Sequence, residues 1–152
     1  MSRFVLAVTL LLSTLVAGVV ADISPATARD TRYELSIADV MADPRYAESV
    51  PQNVKFFFAG QAAPAGEDRG EFVTNRKTNS FGKSDEEACT WAMISALKEL
   101  GERALAEGGD AVVGIVSYYK KRVFESETLF ECHAGAIVAG VALKGRVVKL
   151  GQ

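Results

Sequence analysis

Hydrophobic and polar positions divide this chain into a leader and a body. From Phe4 to Val20 the apolar run is almost unbroken, with Leu10, Leu11 and Leu12 at its centre and Arg3 just ahead of it. A basic residue followed by such a run forms the n-region and h-region of a secretory signal peptide. Ser24-Pro25-Ala26-Thr27-Ala28 comes next: a helix-breaking proline, then the small-x-small pattern that signal peptidase reads. The sequence therefore predicts a signal peptide over residues 1–28, cleaved after Ala28. Val19-Val20-Ala21 offers an alternative site after Ala21, but it leaves no polar stretch between the run and the scissile bond. A run of 17 residues also lies at the lower edge of what spans a bilayer, so an uncleaved anchor is the competing reading. Contact with a membrane is expected only through an uncleaved leader.

The body, residues 29–152, alternates between strand and helix patterns. Between Thr31 and Pro51 the pattern is short and broken. Ser36-Ile37-Ala38-Asp39 reads as a helix start, and Asp43-Pro44 as a second one with Asp as the cap and Pro at the first helical position. Asn53 to Ala59, built on Val54 and Phe56-Phe57-Phe58, predicts a strand. Gly60 to Gly70 reads as a loop, Glu71 to Thr74 as a short strand, and Asn75 to Gly82 as a polar lead into a helix. That helix is the strongest element. Ser84 with Glu87 three residues on is a capping box, Asp85 and Glu86 suit the positive end of the helix dipole, and Gly108-Gly109 supplies the stop. Met93, Ala96, Leu97, Leu100 and Ala104 form one stripe with Cys89 inside it. Ala111 to Tyr119 is a nearly continuous apolar strand closed by Lys120-Lys121-Arg122. From Thr128 to Ala134 the alternation puts Phe130, Cys132 and Ala134 on one face, and Leu129, Glu131 and His133 on the other. After Gly135 a long last strand, Ala136 to Leu150, turns Ile137, Ala139, Val141, Leu143 and Val147 inward. The fold class is thus α+β: one main helix, about 84–108, on a small and mostly antiparallel sheet in the order β-β-α-β-β-β.

Composition narrows the function classes. A chain of 152 residues with 49% hydrophobic and 24% charged residues has room for one ordered domain. Its net charge of −2 becomes more negative when the leader takes Arg3 away, so nucleic acid is not the expected partner. The two cysteines, Cys89 and Cys132, face inward from a helix and from a strand, and an oxidising compartment favours bridging them. Two buried free thiols are the alternative.

The candidate chemistry is sparse. Gly82-Lys83-Ser84 before a helix matches the end of a phosphate-binding loop, but Lys77 stands where the first glycine belongs and no apolar strand leads in, so Ser84 reads as a cap. His133, the only histidine, neighbours Cys132 but points to the opposite strand face, which precludes a Cys–His nucleophilic pair. Four-ligand structural zinc lacks donors, and neither a metal nor a cofactor is expected. Glu125 and Glu127 read as sharing one strand face, a pairing surface strands carry routinely. The basic groups Arg76-Lys77 and Lys120-Lys121-Arg122 read first as charged turns. With Tyr118 and Tyr119 beside it, the second also forms a candidate patch for an anionic or saccharide ligand. Trp91, Ile94 and Leu105 lie opposite the helix's core stripe, so either the N-terminal segment covers them or they form a contact face.

From about Arg29 to Leu150, on the stretches TNRKTNSFGKSDEEACTWA, SYYKKRVFESETLFEC and VALKGRVVKL, the chain resembles a group of short exported bacterial proteins often labelled "excinuclease ATPase subunit". It has neither the complete Walker motif nor the cysteine-rich zinc module of a nucleotide-excision ATPase. GGDAVVGIVSYY and ECHAGAIVAGVALKG are similar to YbjQ-like proteins and RcsF-like envelope-stress sensor domains. That similarity implies a helix on a small sheet, disulfides in exported members and oligomers in some cytosolic ones. The expectation is a non-catalytic periplasmic or secreted domain that binds an envelope protein or itself, with a small-ligand or anion-binding domain as the alternative.

Overall fold

In the computed structural model, which describes residues 28–151, the N-terminal part of the body begins with a strand that local pattern did not predict. The predicted signal peptide run lies outside the described residues, of which Ala28 is the first. β1 (Thr31–Ser36) leads into two short helices, α1 (Ile37–Ala42) and α2 (Pro44–Ser49). The caps are those expected. The Ser36 hydroxyl accepts from the Asp39 amide at 3.2 Å, and the Asp43 carboxylate accepts from the Arg45 amide at 2.9 Å ahead of Pro44. β2 (Lys55–Phe58), β3 (Gly66–Asn79), the main helix α3 (Asp85–Ala106), β4 (Ala111–Ser117), a 3₁₀ turn (Tyr119–Lys121), β5 (Leu129–Ala134) and β6 (Val138–Leu150) complete the order. The fold is α+β with one main helix, and β1 adds a strand ahead of the predicted series. Among the described residues its only ladder partner is β5, about a hundred residues on in the chain (Tyr33 opposite Cys132), and its charged Arg32 and Glu34 suit an edge.

The six strands of the described residues form one sheet organised around β6. β3 pairs antiparallel with β6 from Gly66 opposite Leu150 to Asn79 opposite Val138, so it occupies one edge of β6 over its whole length. A strand has two edges, and β5 and β4 therefore share the other: β5 at Ala139 and Gly140, β4 from Leu143 to Val148. β2 runs parallel to β4, and the other pairings are antiparallel. β3 is much longer than the predicted Glu71–Thr74 because its outward positions are polar and its free edge is charged, which hides the two-residue period.

α3 packs across this sheet and ends as its glycines dictate. Ser84 caps it through the Glu87 amide at 3.1 Å. At the other end Gly108 adopts φ 74°, its amide donates to Leu105 and the Gly109 amide donates to Ala104, the paired bonds of a Schellman motif. Gly109 also has no room for a side chain, since a Cβ there would sit 2.4 Å from Val147 Cγ1. Cys89, Met93, Leu97 and Leu100 of α3 meet Ile115, Phe130, Cys132, Val141 and Leu143 of the sheet in one buried cluster. Cys89 and Cys132 are bridged, with Cα atoms 5.9 Å apart, so the covalent link ties α3 to β5 through the middle of that core. No helix among the described residues is long and apolar enough to cross a membrane.

The fold closes over part of the helix face that the sequence left unassigned. α1 and α2 pack on α3, and Ile94 is 1% exposed within the core cluster that also holds Ile37, Val40 and Val50. Trp91 is half-buried beneath the Arg45 guanidinium, 4.5 Å from the ring centroid, while Leu105 stays exposed. The N-terminal segment thus covers most of this face. Ile137 departs in the opposite sense: it belongs to the turn before β6 and is 64% exposed, whereas Ala139, Val141, Leu143 and Val147 point inward as expected.

Candidate functional site

The residue pattern Glu131-x-His133 sets both side chains on one face of β5, and that face meets the N-terminal arm. His133, 8% exposed, has both ring nitrogens at carboxylates: Nδ1 is 2.9 Å from Asp30 Oδ1 and Nε2 is 2.8 Å from Glu131 Oε1. Each ring nitrogen thus lies against a carboxylate oxygen. The outer oxygens are satisfied as well. Arg32 Nε donates to Glu131 Oε2 at 2.7 Å, while the Tyr119 hydroxyl and Lys120 Nζ donate to Asp30 Oδ2 at 3.1 and 3.3 Å. The Tyr119 ring stacks on His133 with centroids 3.5 Å apart. Burial raises the pKa of Asp30, but the hydrogen bonds from His133, Tyr119 and Lys120 together outweigh it and hold the carboxyl's pKa below its ordinary value. Glu131 follows the same balance, with burial opposed by His133 and Arg32.

The 3₁₀ turn that delivers Tyr119 is strained. Lys120 and Lys121 have φ of 50° and 61°, left-handed conformations that side chains other than those of Gly and Asn rarely adopt. That turn also separates the predicted patch. Tyr119 and Lys120 join Asp30 and His133; Tyr118 turns away, with Lys144 Nζ 4.8 Å above its ring; Lys121 and Arg122 are exposed. Arg122 lines a separate small hollow with Arg32 and Glu131. Glu125 and Glu127 belong to no strand but to the exposed connection before β5, where only an isolated bridge, Ser117 to Phe124, forms.

Beside this network lies a cleft of about 480 Å³, walled by Arg29, Tyr119, His133, Ile137 and Val138 and floored at Gly140. It adjoins a second hollow of about 530 Å³, and the two share Lys77, Ile137 and Val138, with Phe81 on the far side. The apolar walls are held rather than loose. Gly135 O accepts from Arg29 and from the Ser80 hydroxyl, the Ser80 amide donates to Ile137 O, and the Gly135 amide donates to Val138 O. Arg29 is itself fixed by a two-pronged pairing with Asp85 at 2.6 and 2.9 Å, and Tyr33 donates to the same carboxylate. The hydrogen bonds from Arg29 and Tyr33 lower Asp85 from 3.8 to about 2.

Among the described residues no group of three or more His, Cys, Asp or Glu side chains converges to hold a metal ion. Sequence reasoning had placed Glu131 and His133 on a common face, but not Asp30, which joins them from 103 residues away. The exposed cluster of Phe81, Ile137 and Val138 had no local signal, because its members come from the connection before α3, from the β5–β6 turn and from the first residue of β6. No family model, no curated protein and no solved structure matches the chain.

Proposed function

We propose that this chain is an exported, non-catalytic binding domain whose working face is the paired cleft between Tyr119 and Phe81. One observation carries the reading. Of the six large hydrophobic side chains exposed among the described residues, Phe81 (75%), Ile137 (64%) and Val138 (41%) gather around the two adjoining hollows. Exposed apolar groups concentrated in a concave, hydrogen-bonded setting are the mark of a binding surface rather than of scatter. The chemistry beside them favours holding over reacting. Both nitrogens of His133 are committed to carboxylates, and Cys132 is committed to the disulfide. Export follows from the leader and from the resemblance to short exported proteins, and a bridge across the core suits that compartment.

The reading is tested with the neutral fluorescent probe N-phenyl-1-naphthylamine, titrated into the protein purified in its exported form. The expected result is saturable binding at one site per chain, lost in Ile137→Asp while the folded spectrum is kept. Absence of saturable binding, or binding unchanged by that substitution, overturns it.

A further inference from the structure

The charges around the cleft specify what kind of apolar molecule it takes. Most are already paired: Arg29 with Asp85, and Asp30 with Lys120, while His133 hydrogen-bonds to the same carboxylate. Lys77 differs. It lines both hollows, is exposed, and has no carboxylate within ion-pair distance among the described residues. Its neighbour Arg76 is by contrast held by Glu99 at 2.6 Å. Lys77 also borders a third hollow with Glu99 and Glu102 but pairs with neither, and an exposed ammonium that lines a groove with Phe81, Ile137 and Val138 complements an acid group on an apolar body.

The backbone beneath narrows the choice between a peptide and an acyl chain. β3 and β6 are hydrogen-bonded to each other along the floor, with Lys77 opposite Gly140, Thr78 opposite Ala139 and Asn79 opposite Val138. The cleft over Gly140 lies on the face of this ladder rather than at the free outer edge of β3, so an extended peptide seated there would gain none of the main-chain bonds through which strand addition binds. An unbranched chain with one terminal charge asks for none. Gly140 leaves the floor bare beneath it: a Cβ there would stand 3.5 Å from the Lys77 stem, an ordinary contact.

Resting on the cleft reading above, we infer that this site binds a fatty acid, its chain along Phe81, Ile137 and Val138 and its carboxylate at Lys77. The test displaces bound N-phenyl-1-naphthylamine with decanoate, decanol or decylamine. Decanoate competes about fivefold more tightly than decanol, the scale of one partly exposed ion pair, and its advantage fades at high salt. Lys77→Glu, a change at an exposed position, reverses the order so that decylamine leads. Gly140→Leu fills the floor and weakens all three ligands together.

Equal competition by decanoate and decanol, or an order unchanged in Lys77→Glu, overturns the fatty-acid inference and leaves the cleft reading intact. Failure of the naphthylamine itself to bind removes both.

Discussion

His133 joins three parts of the chain that have no sequence proximity: the arm at Asp30, strand β5 at Glu131, and the left-handed turn at Tyr119. A glutamine in its place carries its donors on one nitrogen, so it cannot keep both contacts, and it loses the ring stack. Hydrogen bonds to charged groups at such depth are worth about 2 kcal/mol, so His133→Gln lowers unfolding stability by about that amount in urea titration. Asp85 supplies a second prediction. Its carboxyl is lowered to about 2, against an ordinary value near 3.8, so the folded chain binds that proton more weakly than the unfolded one. Stability from this group is complete above about pH 4 and is lost as pH falls toward 2. Urea midpoints measured across that range fall less steeply for Asp85→Asn than for the native chain; parallel curves would exclude the linkage. At this scale the sequence revealed what one strand can reveal, the shared face of Glu131 and His133. It assigned Asp85 only to the helix dipole, because nothing local reports that Arg29 and Tyr33 reach it.

Elements differ in how much of their environment they carry within themselves. α3 was readable nearly to the residue, because its cap, stripe and glycine stop are all local and the structure uses each of them. The inward orientation of Cys89 and Cys132 could be read for the same reason, from two independent periodicities. β1 and the outer parts of β3 could not, since edge strands carry charge on positions that would otherwise alternate, and their partners lie far along the chain. Local pattern also placed Ile94 outside the core, where only the packing of α1 and α2 on α3 could bury it. The disulfide yields the prediction at this scale. It closes a separation of 43 residues, for which the chain-entropy model gives about 4 kcal/mol. Replacing both cysteines by serine costs about that much in urea unfolding; a loss below about 1 kcal/mol would mean the link adds little to the packing of α3 on β5.

At the scale of the whole molecule, the covalent link and the core lie on one side of the sheet's central strands, while the exposed apolar cluster gathers at the β5–β6 turn. The arm at Arg29 and Asp30, the strained turn and Ser80 converge there and hold the walls in place without filling the space between them. The proposed binding site therefore lies at the end of the sheet rather than on the face of the helix, which the N-terminal segment covers except near Leu105. Backbone amide shifts of the purified protein, followed by NMR as N-phenyl-1-naphthylamine is added, test this proposal most directly. The account predicts changes gathered at Lys77 to Phe81, Tyr119 and Gly135 to Gly140; changes centred on Val73 and Leu105, or spread evenly over the surface, would contradict it.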